Sequence, residues 1–171
     1  MQSRAAEFLV AIAGLMITFS GFTALLLIIR QTSGNRLSAI DRFLTRSVLN
    51  IVLILTGGAL LPALLGFSEI PELWVWRMSA LTFGVPLLAL LLTYPKRRLA
   101  ATGKPVSRFG MIVLVGLGPA TLAAMIVYVF GDFRNIALAY MAALVINFFT
   151  LAFTFVQALE LILGDSTTDS K

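Results

Sequence analysis

The sequence predicts an all-α integral membrane bundle of five transmembrane helices, and three observations predict it. Hydrophobic residues make up 59% of the chain and charged residues only 12%, with a mean hydropathy of +0.97. A soluble domain of 171 residues needs more polar surface than that. Apolar runs of about the 20 residues that cross hydrocarbon recur five times, at about 8–29, 47–67, 73–94, 109–130 and 135–163. The short period-two segments of a membrane β-barrel are missing. Residues 1–164 are therefore read as one transmembrane domain, and 165–171, "DSTTDSK", as a short polar tail.

The first span is too long for a signal-peptide core, and its stronger basic flank follows it, so it is expected to stay as a helix. Within it Ala11, Gly14, Thr18 and Gly21 share one helical face. Small residues let another backbone approach closely, so this face reads as a helix-packing seam. A pore wall is the weaker reading, because hydroxyls can bond back to their own helix.

Ahead of the second span, "SAID" (Ser38 to Asp41) resembles a capping box, so that helix is expected to begin before the membrane. Ile40, Phe43 and Leu44 then fall on one side, with Arg42 and Arg46 elsewhere. Trp74 and Trp76 of the third span, with Tyr128 of the fourth, read as aromatics at one headgroup level and Tyr94 at the other. "YPKRR" is expected to end that helix at Pro95. Ser107 is positioned to cap the fourth span, in which Gly116, Ala120 and Ala124 repeat the small-residue device at intervals of four. "GGALLP", "FGVP" and "GLGP" place prolines inside three spans, where kinks are expected.

The fifth span, closed by Gly164, carries a longer pattern. Tyr140, Ala143, Asn147, Thr150, Thr154 and Gln157 recur at spacings of three and four, making a nearly continuous polar stripe. An amide such as Asn147 is costly against lipid, so the stripe is expected to face protein or water. It reads as an interhelical hydrogen-bonding seam or, alternatively, as one side of a small-solute or ion path.

Charge gives an orientation. Nine of the thirteen Lys and Arg fall in the first and third loops: Arg30, Arg36, Arg42, Arg46, Lys96, Arg97, Arg98, Lys104 and Arg108. Basic loops stay cytoplasmic, which puts the N-terminus outside and the C-terminus inside. Arg42, Arg46, Lys96, Arg97 and Arg98 are then expected to meet anionic lipid headgroups. Near the opposite face Arg77 lies one turn into its span, and Glu7, which opens the first span on that side, is its expected ion-pair partner. Glu160, near the inner end, is expected to snorkel.

"FSGF", the "IDR" of the first loop, Pro62 and "WRMS" (Trp76 to Ser79) give the first half of the chain a resemblance to small, uncharacterised bacterial inner-membrane proteins. The resemblance implies a bacterial multi-pass inner-membrane protein and carries no activity or site.

The chain has no Cys and no His, which removes thiol nucleophiles, thiolate metal sites, His-ligated haem and the commonest general base. Its eight acids are scattered. The sequence thus points to a non-enzymatic protein without cofactor or nucleic-acid partner, acting through helix association with itself or with a membrane partner. A small channel or transporter subunit is the alternative.

Overall fold

The computed structural model describes residues 2–32, 38–103, 105–106, 108–130 and 136–164, and every regular element among them is helical. The order is α1 (Gln2–Thr32), α2 (Ala39–Leu65), α3 (Glu72–Thr102), α4 (Arg108–Met111), a π-helical segment (Ile112–Leu117), α5 (Gly118–Phe130) and α6 (Ile136–Gly164). The all-α expectation holds. The expected Ser107 cap and the tail 165–171 lie outside the described residues.

The capping box forms as the sequence predicts. Ser38 Oγ accepts from the Asp41 N–H, and the Ser38 N–H donates to Asp41 Oδ2 at 2.8 Å. Two donors that the helix start would leave orphaned are thereby satisfied. At the same end of the α2–α3 pair another expectation fails: α3 does not stop at Pro95 but runs on to Thr102. A proline removes one intrahelical hydrogen bond and does not forbid continuation, and the basic residues after it are good helix formers. Gly103 ends the helix instead, at φ 67°, with its N–H on the Leu99 carbonyl at 2.9 Å. That left-handed conformation carries no steric cost for glycine.

The fourth span is also built differently from a regular helix. A single turn, α4, passes into the six-residue π segment and only then into α5. Pro119, the second residue of α5, has no N–H to return to the preceding turn, and a wider turn takes the place of the regular ladder there.

Packing places α2 between α1 and α3, sets α5 on α3, and lays α6 across α2 and α5, with lesser contacts to α3 and α1. Leu9, Met16, Val48, Leu55, Phe83, Leu87, Leu122, Met125, Leu144 and Leu151 form one continuous buried cluster. Helices α2 and α3 approach closely at Gly58, where an added β-carbon would lie 2.5 Å from Phe83 Cδ2. Any larger residue there would force Phe83 to shift.

Outward faces are apolar on every long helix. Ile17, Leu53, Leu92, Leu138 and Phe149 are all more than half exposed. Water would not tolerate such a continuous apolar surface, whereas lipid tails match it. Four helices, α1, α2, α3 and α6, are long and apolar enough to cross a membrane, and α5 contributes a shorter apolar stretch. The chain is a multi-pass membrane helical protein.

Helix direction alternates, so one end of the bundle gathers the start of α1 and the α2–α3 turn. Ala5 and Leu9 share a cavity there with Pro62, Phe67 and Trp76. The opposite end carries Arg42, Arg46, Lys96, Arg97, Arg98 and Arg108, and is called the basic end below.

Candidate functional site

The polar stripe of α6 lies inside the bundle. Tyr140, Ala143, Asn147 and Thr150 are all buried, while the side chains of Thr154, Gln157 and Glu160 lie outside the described residues. Each buried polar group has a specific use. Pro62 has no N–H to offer the carbonyl of Gly58 one turn earlier, and the Tyr140 hydroxyl donates to that carbonyl from across the bundle. The Tyr140 ring is held by Trp76 at 5.5 Å and Phe83 at 5.7 Å. Asn147 Nδ2 donates to Ala143 O at 2.8 Å and to Thr121 Oγ1 of α5 at 3.2 Å. Thr121 passes its own hydrogen to Gly118 O at 2.8 Å, and Thr150 donates to Ile146 O at 3.0 Å. The stripe thus fastens α6 to α2 and α5. One atom is left over: Asn147 Oδ1 is buried without a partner.

The small-residue faces are placed otherwise. Gly14, Thr18 and Gly21 are exposed, and added β-carbons at Gly14 and Gly21 would meet nothing within 4 Å. Gly116, Ala120 and Ala124 are exposed as well, with open space at Gly116. Among the described residues, these faces are therefore not seams between the chain's own helices. Helix α1 packs instead through Leu9, Ile12, Ala13, Met16 and Thr23, one step round the wheel, because these larger side chains bury more area. Thr18 bonds back to Gly14 O at 2.9 Å, so its hydroxyl is satisfied facing outward. The glycines that do admit close neighbours are Gly58, Gly84 and Gly118, against Phe83, Met125 and Leu91 respectively.

Charged and aromatic expectations need correction in two places. Glu7 is exposed, Arg77 Nε is buried without a hydrogen-bond partner, and no ion pair between the two is found among the described residues. Arg77 lies over the Trp74 ring at 5.6 Å, three residues back on its own helix, and a local cation–π contact replaces the interhelical pair. Trp76 and Tyr94 are turned into the bundle, 7% and 1% exposed, while Trp74 keeps a half-exposed ring. The side chain of Tyr128 lies outside the described residues. At the basic end Arg42, Arg46 and Lys96 are exposed, and Arg97 and Arg98 are half-buried.

Sequence reasoning did not find the cavity at the other end. It is a half-open cavity of about 490 Å³ between Ala5, Ala6 and Leu9 of α1, Pro62 and Ala63 of α2, the 66–70 turn, and Glu72, Val75 and Trp76 of α3. Trp76 Nε1 reaches Glu72 Oε1 at 3.5 Å on its wall. Nor did it find the cluster of Phe19 with Phe148 and Phe155, at 6.1 and 4.6 Å, that joins α1 to α6. Aromatic residues at those positions signal burial but not their partners.

Comparison with protein-family models, with curated proteins and with solved structures returned no match.

Proposed function

We propose that this chain is a non-enzymatic protein of the bacterial inner membrane that acts through helix–helix association, as a homo-oligomer or with a membrane partner. Its basic end faces the cytoplasm and its N-terminus lies outside, by the positive-inside rule. The observation that carries the reading is the open space at Gly14, Gly21 and Gly116. Membrane helices associate through small residues because lipid supplies no hydrophobic drive between them. Two such faces left unpartnered by the chain's own helices suit another helix from outside. Because the chain has no cysteine, single substitutions make clean cross-linking probes. Gly21→Cys should form disulfide-linked dimers in native membranes, whereas Gly58→Cys, facing Phe83, should not. Absence of any linked species at Gly21 and at Ala120→Cys would count against association through these faces.

The alternative is a small channel or transporter subunit with Asn147, Thr150, Thr154 and Gln157 beside a polar path. The unpartnered Asn147 Oδ1, next to the π segment and Gly118, is what favours it. Solute flux in proteoliposomes that disappears in Asn147→Leu would support that reading over the first.

A further inference from the structure

At the basic end, the α2–α3 pair holds three side chains whose hydrogen-bonding atoms are buried without partners: the Ser47 hydroxyl, the Tyr94 hydroxyl and Arg98 Nε. Ser47 and Tyr94 are each 1% exposed. Tyr94 and Arg98 are one turn apart on the same face of α3. The Arg98 guanidinium comes beside the phenol, yet no hydrogen bond of normal geometry joins them. Phe43 of α2 packs its ring on Tyr94 at 5.4 Å, and Ser47 follows Phe43 by one turn on the same face. The three groups line one seam between two helices.

Their chemistry is shared. The Arg98 guanidinium only donates, while the two hydroxyls each carry a hydrogen as well as lone pairs, so a ligand with several acceptor oxygens serves all three. Buried donors left unpaired are costly, so the seam has the character of a site awaiting one. Surrounding charge sets the sign of that acceptor. Lys96 and Arg97 precede Arg98, and Arg42 and Arg46 flank Phe43 on α2. The nearby carboxylate, Asp41, is already engaged by Ser38 through Oδ2 at 2.7 and 2.8 Å. An anion with several oxygens fits these demands, and the planar fork of an arginine suits a phosphate. On the opposite face of α3, at the levels of Tyr94 and Arg98, Leu92 and Leu99 are 52% and 51% exposed, so this stretch of the helix lies within reach of acyl chains.

We propose that the α2–α3 seam at the basic end holds the phosphate of an anionic membrane lipid, with Arg98, Tyr94 and Ser47 donating to its oxygens and Arg97 and Lys96 adding charge. The test uses the full chain in nanodiscs, with thermal stability and native mass spectrometry of retained lipid as readouts. Phosphatidylglycerol should stabilise the wild type relative to phosphatidylcholine. Arg98→Gln should weaken retention by about tenfold or more, the worth of one hydrogen bond to a charged group. Tyr94→Phe, which keeps the ring and every charge, should weaken it severalfold. Arg108→Gln removes the same charge from the same end at an exposed position outside the seam, and should change little. Inorganic phosphate added to phosphatidylcholine nanodiscs distinguishes the sources: stabilisation there identifies a free phosphate as the occupant, and none identifies the lipid. Equal losses in Arg108→Gln and Arg98→Gln with Tyr94→Phe unchanged would show diffuse attraction and overturn the site. Indifference of the wild type to both anions would overturn it too. If Arg98→Gln does not fold, Tyr94→Phe decides alone, and wild-type retention in it refutes the proposal.

Discussion

Pro62 cannot return an N–H to Gly58, and Tyr140 supplies the missing hydrogen from another helix. That one bond explains two features at once: why a proline is tolerated inside α2 and why a buried phenol is tolerated inside α6. Tyr140→Phe should cost about 1–3 kcal/mol, since it leaves a buried carbonyl unpaired. In a Pro62→Ala background the helix regains its own donor, so the same change should cost clearly less. A double-mutant cycle read by thermal unfolding in nanodiscs checks this, and additive losses would contradict it. The glycines predict a second contrast. Gly58→Ala drives a β-carbon toward Phe83 Cδ2, Cγ and Cβ, near the fixed root of that side chain, and overpacking of this kind costs about 1–3 kcal/mol. Gly84→Ala meets only Met125 Cε, the free tip of a flexible chain, and should be close to neutral. Thermal midpoints of the two variants should therefore differ. The period of three and four made Tyr140 and Asn147 legible in the sequence as one face. Their partners, Gly58 and Thr121, were not legible, because helix register is a tertiary property that no local spacing encodes.

Helix α6 is the element that joins the bundle. Its Tyr140 reaches α2, its Asn147 reaches α5, and its Phe148 and Phe155 pack on Phe19 of α1. Asn147→Leu should destabilise the protein by about 1–3 kcal/mol, because Thr121 loses its donor and a larger apolar group enters a filled space. Phe149, 65% exposed on the lipid side, is the matched control, and Phe149→Leu should stay within about 0.5 kcal/mol of wild type. Phe148 is a poorer control than its position off the stripe suggests, since its ring meets Phe19. Unfolding of both variants in one lipid composition checks the pair. At this scale the sequence was most readable where one local rule decides: Ser38 and Asp41 form the capping box that their spacing implies. It was least readable where rules compete. Pro95 breaks one hydrogen bond, but the six positions from Lys96 to Ala101 still favour helix and carry α3 on to Thr102. The π segment before Gly118 was invisible, since the hydrophobic pattern of 109–130 suits any helical pitch.

Across the whole molecule, charge separates toward the two ends and apolar surface wraps the sides. The alternation of helix direction brings Arg42, Arg46 and Lys96 to Arg98 to one end, as the basic loops imply. With that end cytoplasmic, a cysteine at Ser68 should react with membrane-impermeant thiol reagents in intact cells, and one at Thr102 should not. Reversal of that pattern would invert the topology. The buried stripe and the open glycine faces divide the molecule's polar and small residues between two tasks: the first holds the chain together, and the second is offered outward. Association through those outward faces is the central claim, and native mass spectrometry from lipid nanodiscs tests it most directly. The wild type should be released as an oligomer or with a bound membrane partner, and Gly14→Leu with Gly21→Leu should be released as a monomer of unchanged thermal stability. A wild type released only as a single, unpartnered chain would contradict the account.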